Sequence, residues 1–138
     1  MSRKKINKFN PLFGLIGFLI FSIGCSPQKA KVYSQTPIPV SAEALYREYK
    51  DETVANTKYL GKLMDINGTI IRMGEDSGSQ EYVILKGGDG AGDIQCFFIR
   101  TKTEEAKQLK IGQEVFLRGI CIGKIINVAV DECVILKS

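Results

Sequence analysis

Residues Leu60–Met73, LGKLMDINGTIIRM, decide the fold. Met64, Ile66 and Ile70 share one strand parity, whereas Leu63, Ile71 and Met73 share the other, so one uninterrupted register cannot bury both sets. The Asn67-Gly68 step breaks the alternation and predicts a bulge at Gly68 that bends the strand and switches its faces. A long first strand whose two halves pair with different neighbours is what closes a small five-stranded barrel.

Four further runs supply the other strands: Glu81–Lys86, Asp93–Arg100, Gln113–Ile122 and Ile126–Leu136. Polar and glycine-rich turns at Gly74–Gln80 and Gly87–Gly92 separate the first three strands, and a tight turn around Gly123-Lys124 joins the last two. In the third run Phe97 and Phe98 are adjacent and must point to opposite faces; the pattern does not say which is exposed. Thr101–Ile111 reads as a short helix, with Thr103 as cap, Glu104 and Glu105 in the first turn, Ala106 and Leu109 facing inward and Gly112 as terminator. Upstream, Ser41 caps a helix from Ala42 to about Val54, whose Ala42, Leu45, Tyr46 and Tyr49 recur at helical spacing. Its tyrosines are expected to plug one end or flank of the barrel.

The first 24 residues are unlike a domain. Arg3, Lys4, Lys5 and Lys8 form a basic head, Leu12–Ile23 an apolar run of 12, and Ser22-Ile23-Gly24-Cys25 closes the segment. Twelve residues reach about 18 Å as a helix, short of the roughly 30 Å hydrocarbon core. The segment resembles a bacterial lipoprotein signal peptide with its lipobox, although Ser22 stands where leucine is usual. The resemblance implies cleavage after Gly24, acylation of Cys25 and attachment to a membrane. Ser26 replaces the Asp typical of lipoproteins kept in the inner membrane, which implies the outer membrane, facing the periplasm. Residues 25–40, with three of the four prolines, then read as the lipidated cysteine and a flexible tether of up to about 50 Å, with packing near Ile38 and Val40 as the alternative. The domain proper is 41–138.

Cleavage changes the charge. The 19 Lys and Arg of the whole chain fall to 15 when the head leaves, against 15 Asp and Glu, so the net charge falls from +4 to zero. Affinity for polyanions is largely phosphate neutralisation, so a balanced domain lacks the global footprint of a nucleic-acid binder. Beyond Cys25 three cysteines remain. The positions of Cys121 and Cys133 on the last two strands favour them as a disulfide in an oxidising compartment, with Cys96 paired to either as the alternative. No C-x-x-C and no histidine are present to build a metal site.

With five strands, a glycine in the first and a helix before the fourth, the order is that of an oligonucleotide/oligosaccharide-binding (OB) Greek-key barrel, all-β with a leading N-terminal helix and a short helix between strands three and four. Ser41-Ala42-Glu43, Lys58-Tyr59-Leu60-Gly61-Lys62, Gly68-Thr69, Cys96 with Phe98, Gly112-Gln113, Gly119 with Cys121, and Cys133-Val134 together resemble the tRNA-anti-like family of small bacterial OB-fold proteins. The resemblance implies the fold, and carries no ligand or catalytic residue.

An OB barrel binds on the face of its second and third strands, with aromatics for stacking and cations for a backbone track. Tyr82 and one of the two phenylalanines, taken as Phe97, are the candidate pair, with Arg72 and Arg100 beside them and Arg118 nearby. The alternative is that these aromatics fill the barrel. Glu75, Asp76, Asp89 and Asp93 in the flanking loops oppose phosphate and make nucleic acid the weaker partner. The run GGDGAGD, Gly87–Asp93, has Gly92 where a calcium-binding nonapeptide needs Asp, and it is followed by a strand rather than the helix of a phosphate loop, so it reads as a hairpin turn. No histidine base, nucleophile elbow or facing carboxylate pair marks an enzyme, and Asp131-Glu132 are neighbours that point apart. The expectation is therefore a membrane-anchored, non-catalytic binding or scaffolding module without cofactor, its partner an envelope protein, peptide or glycan, with oligosaccharide or single-stranded nucleic acid as the alternative ligand.

Overall fold

The computed structural model describes residues 27–89 and 92–138. The signal segment and Cys25 lie outside the described residues. The elements run α1 (Pro27–Tyr33), β1 (Ile38–Ser41), α2 (Ala42–Glu48), α3 (Glu52–Tyr59), β2 (Leu63–Glu75), β3 (Glu81–Leu85), β4 (Ile94–Phe98), a 3₁₀ turn at Arg100–Lys102, α4 (Thr103–Lys107), β5 (Glu114–Lys124) and β6 (Val128–Lys137).

Strands β2, β3, β4, β6 and β5 follow one another around the barrel, and β2 closes it by pairing again with β5. The long strand does this as expected: Leu63–Thr69 pairs antiparallel with β5, and Ile70–Glu75 pairs with β3. The face switch, however, comes later than Gly68. Met64, Ile66 and Ile70 are all buried, and the register shifts between Ile70 and Arg72, which leaves Ile71 outside and turns Met73 toward the core. Gly68 instead marks a close approach, since a Cβ there would stand 2.8 Å from Ala42 Cβ and 3.2 Å from Leu85 Cβ.

Two expectations upstream are corrected. The expected tether holds a helix, α1, and a strand, β1, which pairs parallel with Met64–Asn67, so the alternative of packing near Ile38 and Val40 is the one realised. The physical reason is an open hydrogen-bonding edge: β3 leaves β2 after the bond from Lys86 N to Thr69 O, and β1 takes over where it departs. The single helix expected from Ala42 to Val54 is two. Ser41 caps α2 through Ala44 N as predicted, but Asp51 starts a second helix by accepting from Val54 N at 3.2 Å. The break allows both Tyr49 and Tyr59 to be buried with rings 6.4 Å apart, plugging the barrel with Leu45 and Ala55.

Ala106 and Leu109 face inward as read, but Thr103 does not cap α4; its hydroxyl donates to Arg100 O from inside a helix that the 3₁₀ turn begins. The expected Cys121–Cys133 bridge is not formed, and Cys96, Cys121 and Cys133 are all buried free thiols. Register explains it. Gly119, two residues before Cys121, is the β5 position beside Cys133, where a Cβ would stand 2.7 Å from Cys133 Sγ. Two residues along a strand plus one strand spacing exceed the roughly 7 Å limit for bridging Cα atoms. Cys121 Sγ lies instead 3.2 Å from Tyr49 Oη. Burial, and the thiol of Cys121 after it, hold the Tyr49 phenol above its ordinary range; burial likewise pushes Cys133 well up, with Cys96 beside it.

Candidate binding face

Alternation along β3 sends Val83 and Leu85 into the core and Tyr82 and Ile84 to the opposite face, where Tyr82 is half-buried and Ile84 is covered by its neighbours. On β4 the same rule buries Ile94, Cys96 and Phe98 and turns Gln95 and Phe97 outward, so Phe97, half-buried, is the outward member of its pair. Tyr82 is the direct partner of Phe97, and Ile84 of Gln95. The rings of Tyr82 and Phe97 meet at 5.8 Å and 60°, a tilted contact typical of aromatic pairs. On β2, Gly74 lies opposite Tyr82 and Arg72 opposite Ile84. The outer face thus carries two rows, Gly74–Tyr82–Phe97 and Arg72–Ile84–Gln95.

Gly74, read from sequence as the start of a turn, is part of this face. A Cβ at Gly74 would stand 2.5 Å from Tyr82 Oη and 2.7 Å from its Cζ, so the tyrosine ring lies across bare backbone. The signal was available in principle, because a glycine opposite an outward aromatic is a seat for its ring.

The cations divide. Arg72 is exposed, and no carboxylate among the described residues lies within ion-pair distance of it. Arg100 is drawn to one end of the face, where its guanidinium donates to Gly78 O at 2.7 Å. That turn is held by Asp76, whose carboxylate accepts from Gly78 N and Gln80 N at 2.8 and 2.9 Å. Arg118 does not join the face. It forms a two-pronged pair with Asp65 at 2.7 and 2.8 Å across β5 and β2, which raises its pKa further.

A concavity lies elsewhere, between α2 and the loop after β3. It has a volume of about 570 Å³ and is lined by Glu43, Tyr46, Arg47, Lys50, Lys86 and Asp89. The glycines of that loop are tightly packed: Cβ atoms at Gly87, Gly88 and Gly92 would come within 2.7, 2.3 and 2.9 Å of Tyr46. The turn is a glycine saddle on the Tyr46 side chain, which sequence reading had placed among the plugging tyrosines. Among the described residues, no group of three His, Cys, Asp or Glu side chains gathers to hold a metal.

The tRNA_anti-like family profile matches residues 15–134, most of the chain, taking in β2 to β5 whole and β6 as far as residue 134. The chain belongs to the tRNA_anti-like family. No curated protein matches this tRNA_anti-like chain. Among solved structures it is similar to a lipoprotein of Klebsiella pneumoniae named as a candidate nucleic-acid binder, with TM-score 0.61 and 16% identity over 79% of this chain and 97% of that one. At that identity the likeness establishes the tRNA_anti-like barrel and nothing further. Weaker similarities are to an OBody bound to hen egg-white lysozyme (TM-score 0.45, 15% identity, 59% of this chain and 87% of that one). Another is to the asparaginyl-tRNA synthetase of Entamoeba histolytica (TM-score 0.47, 16% identity, 75% of this chain and 24% of that one).

Proposed function

We propose that this protein is an envelope lipoprotein, held by an acylated Cys25 in the outer membrane and facing the periplasm, whose barrel is a non-catalytic binding or scaffolding module. The observation that carries the reading is the outward Tyr82–Phe97 pair, seated on Gly74 and bordered by Arg72. Two large rings kept out of the core of a small domain are contact area held for a partner. An envelope protein, peptide or glycan suits a face with one uncommitted guanidinium and carboxylates at its ends. The anchor is supported by the lipobox pattern and by the lipoprotein name of the Klebsiella structure.

Single-stranded nucleic acid is the second reading, favoured by the placement of Arg72 in the row beside the aromatic pair. Titration with single-stranded DNA and RNA at low and then physiological salt separates the two. Binding that falls steeply with salt selects nucleic acid, and absence of binding even at low salt removes it. The anchor has its own test: Cys25→Ala is expected to release the protein from the membrane fraction, and firm retention contradicts acylation at that residue.

A further inference from the structure

The β5–β6 hairpin ends in two isoleucines that no described residue covers. Ile125 is 84% and Ile126 80% exposed, the two most exposed large apolar side chains described. They are held outward by their base. Asn127 accepts from Asp93 N and donates to Gln95 Oε1, while Ile125 N closes the turn on Asn127 O. Behind the tip, Leu60 is half exposed and packs toward Gly123, where a Cβ would lie 3.3 Å from Leu60 Cδ1. The stretch from Ile120 to Ala129 contains no carboxylate, and the cations at this end, Lys62 and Lys124, stand outside ion-pair distance of any carboxylate among the described residues.

The tip also lies at the end of the barrel where β1 begins. Ile38, the first residue of β1, is level with Met64, and the neighbouring Leu63 pairs with Ile120, from which β5 runs on to the hairpin. A convex apolar point flanked by lysines has the shape and charge of a bilayer contact rather than of a flat protein interface. We propose that Ile125 and Ile126 insert into the lipid surface, with Lys62 and Lys124 at the headgroups, and so fix the orientation of the barrel on the membrane. The inference rests on the lipoprotein reading, which holds the barrel beside a bilayer.

The chain contains no tryptophan, so one can be introduced as a unique probe. Full-length Ile126→Trp is mixed with phosphatidylethanolamine/phosphatidylglycerol vesicles with and without brominated acyl chains, and compared with Ser77→Trp in the turn at the far end of β2. The expected result is a blue-shifted indole emission, quenched by bromolipid, for Ile126→Trp only. An Ile126→Trp emission like that in water, or quenching equal to that of Ser77→Trp, overturns the proposal. A blue shift already present without vesicles also overturns it, because the tip is then covered by protein. Sedimentation of the same samples reads the anchor separately: protein that pellets with its indole in water keeps the lipoprotein reading and loses this one.

Discussion

Tyr82 lies across the backbone of Gly74, close enough that any side chain at Gly74 would overlap the tyrosine hydroxyl end. This contact aims the ring at Phe97 and makes the pair a preset surface. Because the overlap is with the free end of a half-exposed side chain, Gly74→Ala is expected to fold, at a cost of about 1 kcal/mol, while swinging the ring away. Loss of the Tyr82–Phe97 ring contact in an NMR spectrum checks it; an unchanged contact refutes the seat.

The glycine saddle gives a sharper contrast. At Gly88 the overlap is with the Tyr46 ring alone, whereas at Gly87 it is with Tyr46 Cβ, which cannot swing away, as well as with ring Cγ. Both Gly87→Ala and Gly88→Ala are expected to destabilise, by about 1–3 kcal/mol. Adding Tyr46→Ala should relieve the second fully and the first only in part, since Cβ remains, and a denaturant double-mutant cycle measures the difference.

Gly119 has no such release. An added Cβ would meet Cys133 Sγ and Val130 Cγ1 at 2.7 Å and the backbone oxygen of Asp131 at 2.8 Å. Gly119→Ala is expected to cost about 3 kcal/mol, the upper end of overpacking, with a fall in Tm of more than about 10 °C. A melting curve like that of the unsubstituted protein contradicts the inward approach of β6.

Glu48 bonds Lys58 at 2.9 Å, and that bond, first among its causes, lowers the Glu48 pKa in the folded state. A depressed carboxyl contributes stability above its unfolded pKa, near 4.5, and loses it as pH falls through the folded value. Both side chains are more than a third exposed, so the effect is below about 1 kcal/mol. Glu48→Gln should therefore melt slightly lower at pH 7 and match the unsubstituted protein near pH 3; a difference that grows toward acid has the wrong sign.

Much of this fold is legible in local pattern. Parity along Leu63–Met73 and the adjacent Phe97 and Phe98 require a bent strand and one outward ring, and Ser41 is a cap wherever its helix packs. What pattern misses depends on neighbours distant in sequence. The bulge falls at Ile71, where β2 passes from one neighbour to the other, and Gly68 is instead bare against Ala42 and Leu85. Pro39 sits in a strand because β3 leaves an edge of β2 unpaired, a vacancy no local composition records. The candidate face was legible as Tyr82, Phe97 and Arg72, but the capture of Arg100 by Gly78 O and of Arg118 by Asp65 required the turn and the sheet to be closed first.

The claim that the Tyr82–Phe97 face is the binding surface is tested most directly by placing a photo-crosslinking benzophenone amino acid at Phe97 in the full chain and irradiating intact cells. Thr57, exposed on α3, serves as the control position. The account predicts a discrete adduct of protein or glycan from position 97, abolished by Tyr82→Ala in the same chain and absent from position 57. Equal or absent labelling at the two positions would contradict it.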